Sequence, residues 1–415
     1  MRDQDTGGKR ILVRLDLNAP IDPQSGAITD DSRFRAHLPT LRALKGSKVA
    51  VLAHQSRAGK RDFLSLRPHA ALLQSLLPDR TVHFTDGLVS STALSAIDGL
   101  RNGEILLLEN VRFWAEETGL QEAPAEEQAR SLLVRTLAPH FDLFVNDAFA
   151  AAHRGQVSLT GFPLALPSVA GELMSAEIEA LDHALNAPER PRLAILGGAK
   201  VDDSIDVTVN LTLRGGVDHV LTIGAVGNFF LQAAGWHLGA PSESFLQREV
   251  SGYSERLERA AQLVRLPSER RKIRLPRDVA YEQDGQRHEV LINKLPIERP
   301  LLDIGQATID HYSDLIKGAK VLLLNGPAGV YENPLFEKGT KELFSAVVRS
   351  GASVVAGGGH TSAALARYGL TDKVGFVSSG GGATMCFLAG RPMPALQQLR
   401  VSAEQFASRL AFPHP

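Results

Sequence analysis

Short apolar runs alternate with longer amphipathic stretches from one end of the chain to the other. That alternation predicts strands separated by helices, the βαβ pattern of a parallel sheet covered on both faces. In the first half the spacing predicts strands over 11–17, 48–53, 82–85, 105–109 and 143–146, with helices over 32–44, 68–77 and 125–137. The second half repeats the plan, with strands over 193–196, 220–223, 320–325, 353–356 and 375–377 and helices over 205–213, 307–316, 336–349 and 361–368. One patch reads differently. Segments 272–275, 279–281 and 289–292 are strand-like, and the last two flank Asp284-Gly285, which predicts a small antiparallel addition. Pro163, Pro167 and Ser168 break the chain ahead of a long helical pattern over 169–185, the expected rigid connector between two domains. The fold class is therefore α/β.

Length and composition narrow the reading. A chain of 415 residues exceeds one ordinary core, so two domains are expected. A net charge of -1 and 6% aromatic residues argue against a nucleic-acid partner. The single cysteine, Cys386, fits a reducing compartment, the first residues lack the apolar stretch of a signal peptide, and no run approaches the ~20 apolar residues of a membrane helix. A cytoplasmic protein without a membrane partner is expected.

The strand ends carry the chemistry, and in open α/β sheets ligands bind outside the carboxyl ends of strands. The first strand ends in Arg14, Asp16 and Asn18, which share one side at period two. For Arg14 an ion pair with a neighbouring helix and a ligand role both stay open; for Asp16 and Asn18 a ligand role is expected. His54 and Arg57 follow the second strand, Arg112 the fourth, and His153 and Arg154 the fifth, while Arg33 starts a helix. Guanidiniums that converge on one sheet edge repel each other unless an anion sits among them. A small, multiply charged acid is the expected ligand.

In the second half the strand ends carry glycine instead: Gly197-Gly198, Gly224, Gly326, Gly357-Gly358-Gly359 and Gly380-Gly381-Gly382. Glycine lets backbone approach a ligand and offers N–H groups to phosphate. Lys200 stands at the mouth of the helix after Gly197-Gly198 and adds a mobile charge. Neither GxxxxGK[ST] nor GxGxxG is present, so the nucleotide expected here uses neither the P-loop nor the dinucleotide fingerprint. Glu332 suits ribose hydroxyls and equally suits a solvated helix start.

Taken in order, VRLDLNAP, DDSRFRAHLPT, LLLENVRF, FVNDAFAAAHR, LGGAKVDDS, NGPAGVYE, GGGHTSAAL and SSGGGA resemble phosphoglycerate kinase, and AHQSR, GGAKVDDS and GGGHT resemble its archaeal branch. The resemblance spans about residues 11–399. It implies two Rossmann-like domains with parallel sheets joined by a hinge helix. Residues 1–170 would bind 3-phosphoglycerate, with 396–415 packing back on them, and 171–395 would bind the nucleotide. It implies reversible transfer of a phosphoryl group between 1,3-bisphosphoglycerate and ADP, giving 3-phosphoglycerate and ATP, with Mg2+ accompanying the nucleotide, in glycolysis and gluconeogenesis, by a monomer or homodimer. Asp16, Asn18, Arg33, His54, Arg57, Arg112 and Arg154 would bind the acid, with Arg14 supporting them. Gly197, Gly198, Asn325, Pro327, Glu332, Gly357, Gly358, Gly359, His360 and Thr361 would border the nucleotide. Arg33, Lys200, Gly380 and Gly381 would serve the transferred group, the two glycines by opening a helix toward it.

The sequence departs from the common family pattern twice. Ser204 stands where most members have a second lysine, and His360 where most have aspartate. Magnesium prefers oxygen to imidazole. The metal is therefore expected on substrate phosphates and water, or on a carboxylate such as Asp203, and its ligands stay open. The departures also motivate a catalytically silent paralogue that binds a phosphorylated metabolite or a protein partner. A nucleotide-dependent dehydrogenase, suggested by fold analogy alone, lacks the glycine fingerprint.

Overall fold

Residues 11–13 enter the core from both sides. Leu12 packs into one apolar cluster with Leu52, Leu106, Phe144 and Phe162, and its neighbours Ile11 and Val13 into another with Leu41, Val51 and Leu73. A strand apolar on both faces belongs inside a parallel sheet covered twice. The computed structural model describes residues 1, 4–22, 24–267 and 272–410. Among them the first sheet consists of β1 (Arg10–Arg14), β2 (Lys48–Leu52), β3 (Val82–Phe84), β4 (Ile105–Leu107), β5 (Leu143–Asn146) and β6 (Ser168–Ala170). They pair in the order β3-β4-β2-β1-β5-β6, all parallel.

The second parallel sheet uses β7 (Arg192–Leu196), β8 (His219–Thr222), β9 (Ile273–Arg274), β13 (Val321–Asn325), β14 (Ser353–Gly357) and β15 (Phe376–Val377), in the order β15-β14-β13-β7-β8-β9. Beside it lies an antiparallel sheet in the order β11-β10-β12, from β10 (Asp278–Gln283), β11 (Gln286–Leu291) and β12 (Leu301–Ile304). Asp284 and Gly285 join β10 to β11 with φ of 54° and 74°, the left-handed pair a tight hairpin turn needs.

Four expectations change. β1 ends at Arg14, so Asp16 and Asn18 sit in the loop beyond it rather than on the strand. Segment 272–275 contributes β9 to the parallel sheet beside β8, and the antiparallel sheet takes β12 instead. The helix expected over 125–137 is two short ones, Ala125–Gln128 and Leu132–Leu137, the second capped by Ser131, whose Oγ accepts from the Val134 N–H. The long helix runs Glu172–Asn186. Ahead of it, Ser168–Ala170 pairs with β5. A Cβ at Gly171 would lie 2.2 Å from Asp147 Oδ1, so the turn between strand and helix requires glycine.

The chain forms two compact units: Met1–Ile178 together with residues from Pro392 onward, and Glu179–Arg391. The break falls inside the helix Glu172–Asn186, downstream of the 170/171 boundary expected at the proline-rich loop. The first unit recovers the chain through the helix Pro394–Gln405. There Ala395 N–H donates to the Ala152 carbonyl at 3.2 Å and Ser402 Oγ to the Leu166 carbonyl at 3.1 Å. Residues 411–415, part of the segment expected to return, lie outside the described residues. No described helix is long and apolar enough to cross a membrane.

Candidate active site

In the first unit the loops after β1, β2, β4 and β5 gather the polar residues at one sheet edge. Asp16 is buried and accepts from Arg33 Nη1, which the helix Ser32–Ala43 delivers from its first turn. That helix is itself anchored. His37 Nε2 accepts from the Asp16 N–H at 3.1 Å, and its Nδ1 donates to Asp147 Oδ2 at 2.7 Å. Thr40 Oγ1 also donates to Asp147 Oδ2, at 2.7 Å. Asn18 Oδ1 accepts from the Ser56 N–H at 2.8 Å, and its NH2 makes no hydrogen bond among the described residues. Arg112 Nη1 donates to the Ser56 carbonyl, and Ser56 itself holds a left-handed φ of 55°. Arg57 and Arg154 are exposed and form no ion pair among the described residues. Arg14, left open by the sequence, is wholly buried beneath this patch, with Nη2 3.1 Å from His54 Nδ1.

The electrostatics are those of an anion site. Burial works against the charge of Asp16, but His54 in its protonated form, Arg33, Arg14 and the Asn18 N–H outweigh it and hold the carboxyl at about 2. Burial, then the like charges of Arg154 and Arg14, lower Arg112 to about 10. A guanidinium driven down by its neighbours gains when an anion arrives.

In the second unit the glycine turns pack against one another. Gly197 N–H donates to the Asn325 carbonyl at 2.8 Å and Gly198 N–H to the Pro327 carbonyl at 2.9 Å. At Gly326, φ is 85° and a Cβ would lie 2.2 Å from the Gly197 carbonyl oxygen. Asn325 Nδ2 donates to the Gly357 carbonyl at 2.8 Å, and Gly326 N–H to Thr361 Oγ1 at 2.7 Å. Asn325 and Thr361 therefore shape the turns, and the buried Thr361 hydroxyl is already engaged. Gly358 and Gly359 open the helix Gly359–Arg367, and Gly381 precedes the helix Gly382–Leu388. Gly380 is buried and its N–H donates to Ser378 Oγ at 3.1 Å.

Gly198, Gly224, Pro327, Glu332 and His360 line a cavity of about 460 Å3 with Phe245, Leu302 and Val330. His360 Nδ1 lies 3.8 Å from Glu332 Oε1, and both side chains are exposed. Lys200 is exposed at the start of the helix Val201–Arg214 and forms no ion pair among the described residues. Ser204 is buried. Asp203 is paired with Arg391, and no three His, Cys, Asp or Glu side chains among the described residues gather to hold an ion. The described residues thus offer no three-ligand cage for a bare Mg2+.

Several contributors escaped the sequence reading. His37 lies one helical turn after Arg33 in DDSRFRAHLPT, so its spacing was a usable signal. Glu117 and Ser158 lie beneath the arginines and gave none. Phe245 and Arg248 line the cavity from the helix Ala240–Glu249, a helix outside the predicted set, with the Arg248 guanidinium 5.6 Å from the centre of the Phe245 ring.

Two α/β units, one edged by arginines and the other by glycine turns, define an enzyme that moves a phosphoryl group between a nucleotide and a small anionic acid. The comparisons name the family. The phosphoglycerate kinase family model matches residues 1–391. The phosphoglycerate kinase of Methanothermobacter thermautotrophicus is 46% identical over 97% of this chain and 96% of its own. That of Thermoplasma acidophilum is 42% identical over 98% of each. The crystal structure of phosphoglycerate kinase from Pyrococcus horikoshii superposes with a TM-score of 0.85 at 37% identity, covering 98% of this chain and 99% of that one. The structure of phosphoglycerate kinase from Coxiella burnetii gives 0.80 at 32% identity, covering 97% and 99%. The chain belongs to the phosphoglycerate kinase family, whose activity is phosphoryl transfer to a carboxyl acceptor. Neither a silent paralogue nor a dehydrogenase is favoured.

Proposed function

We propose that Asp16, Asn18, Arg33, His54, Arg57, Arg112 and Arg154 bind 3-phosphoglycerate, and that the glycine-turn edge binds ATP or ADP with its Mg2+. The observation that carries the acid site is the crowding of guanidiniums: Arg112 lies low through burial and the charges of Arg154 and Arg14. A phosphorylated acid relieves that repulsion. On the nucleotide side, the apolar wall of Phe245, Leu302 and Val330 suits a base, and Glu332 beside it suits ribose hydroxyls. Gly197, Gly198, Pro327, Gly357, Gly358, Gly359 and His360 border the phosphates, with Asn325 and Thr361 holding the turns. Mg2+ enters as part of the nucleotide substrate, held by phosphate oxygens and water.

The transferred group spreads its charge over equatorial oxygens. Lys200 and Arg33 supply cations to it, and the helix opened by Gly380 and Gly381 supplies N–H groups. Because attacking and leaving oxygens must be in line, turnover requires both ligands to be brought together before transfer. No covalent intermediate on the protein is needed. The test is a coupled assay of ATP-dependent phosphorylation of 3-phosphoglycerate, repeated with GTP. Absence of turnover by folded protein with Mg2+ overturns the proposal.

A further inference from the structure

Beneath the arginine patch runs a fully buried chain of polar side chains, of which the proposed reaction uses only His54. Glu117, in the helix Ala115–Gly119, accepts twice from Ser158: from the N–H at 2.8 Å through Oε2, and from Oγ at 2.7 Å through Oε1. Arg14 Nε donates to the same Ser158 Oγ at 2.9 Å, Nη1 donates to the Leu15 carbonyl, and Nη2 lies 3.1 Å from His54 Nδ1. Arg14, Glu117 and Ser158 are 0% exposed and His54 3%.

The chemistry of the groups fixes every direction in this chain. A guanidinium has donors and no acceptor. Ser158 Oγ must therefore accept from Arg14, so its own proton goes to Glu117 Oε1. Both Glu117 oxygens accept from Ser158, and burial raises the Glu117 pKa. At the other end, His54 Nδ1 must show its lone pair to Arg14 Nη2, since a proton there would set donor against donor in a buried site. Asp16 Oδ1, at 3.9 Å, is too far from Nδ1 to take such a proton. Burial, with Arg14, Arg112 and Arg154, also holds the imidazole well below its usual range against the pull of Asp16.

The geometry points to Glu117 and Ser158 as positioning residues: they fix Arg14, and through it hold His54 as a neutral imidazole presenting Nε2–H. Such a donor aims one hydrogen bond at an incoming anion without adding another cation to a crowded patch. The inference rests on reading this patch as the acid site, and the two are separable by experiment.

In 15N-histidine-labelled free enzyme, the two-bond 1H–15N spectrum is expected to show His54 as the Nε2–H tautomer throughout about pH 6–8, where an ordinary histidine titrates. An Nδ1–H tautomer or an imidazolium overturns the inference without need of any variant. Ser158→Ala is expected to mix the tautomers and raise KM for 3-phosphoglycerate roughly tenfold, leaving KM for ATP within about twofold. A folded Ser158→Ala enzyme with the parent His54 spectrum and KM overturns it. Adding 3-phosphoglycerate separates the readings. Displaced His54 resonances support both, whereas an unmoved His54 with the expected tautomer overturns the acid site and leaves the fixed tautomer standing.

Discussion

Replacing Asp16 by Asn tests the electrostatic account of the arginine patch. The Asp16 carboxyl is held at about 2 against an ordinary 3.8. At 1.36 kcal/mol per pH unit, that depression corresponds to about 2.4 kcal/mol favouring the charged form in the folded state. The Arg33 side chain is 36% exposed and a neutral His54 adds no charge at pH 7, so solvent screening and the missing imidazolium reduce the figure to about 1–2 kcal/mol. A depressed carboxyl stabilises fully above its unfolded pKa, and the contribution disappears as pH falls through the folded value. The parent protein should thus lose this increment between about pH 4 and pH 2. Asp16→Asn should lack it throughout: less stable than the parent by about 1–2 kcal/mol at pH 7, with the gap closing near pH 2. The assay is urea denaturation of both proteins at several pH values, followed by the transition of the first unit. A gap at pH 7 below about 0.5 kcal/mol, or one that stays constant with pH, refutes the reasoning.

Three further outcomes follow from the second unit. Lys200→Ala should lower kcat about 100-fold, as loss of a cation at the transferred group implies, while the exposed, unpaired side chain leaves the thermal midpoint unchanged; near-parent kcat removes the assignment. Gly326→Ala should destabilise the second unit by about 2–3 kcal/mol and raise KM for ATP, because the new methyl would lie 2.2 Å from the Gly197 carbonyl oxygen; calorimetry decides. Asp303 is buried and pushed up to about 6, chiefly by burial. The unfolded chain gives up that proton first, so stability should fall by about 3 kcal/mol as pH rises from about 4 to about 6 and then level off. Asp303→Asn should abolish that slope in urea midpoints, whatever it does to absolute stability.

What the sequence made legible was set by how local the signal is. The central strands announce themselves because each is apolar on both faces, and Arg33, His54, Arg112, Lys200 and the glycines stand directly after such strands or at the helix starts that follow. Strand β6 is too short for any period to show, and β9, read as strand-like within 272–275, is too short to reveal which sheet it joins. The role of Arg14 was unreadable because its partners are remote: Ser158 is 144 positions away and His54 40. Glu117 and Ser158 come from short helices in irregular stretches, where a buried charge looks like any surface one until the fold closes over it. Thr361 shows the same limit: GGGHT suggested a ligand contact but not that its Oγ1 also accepts from the Gly326 N–H, 35 positions away.

The first unit is assembled from the beginning of the chain and from residues after Pro392, and this bears on how the molecule is made. A ribosome delivers the second unit, Glu179–Arg391, as one uninterrupted stretch that can fold as soon as it emerges. The first unit, although synthesised earlier, stays incomplete through that interval. Its final pieces arrive last: Ala395 to bond Ala152, Ser402 to bond Leu166, and Leu410 to enter the cluster around Val13 and Leu41. The unit that carries the arginine edge is therefore translated first and completed last.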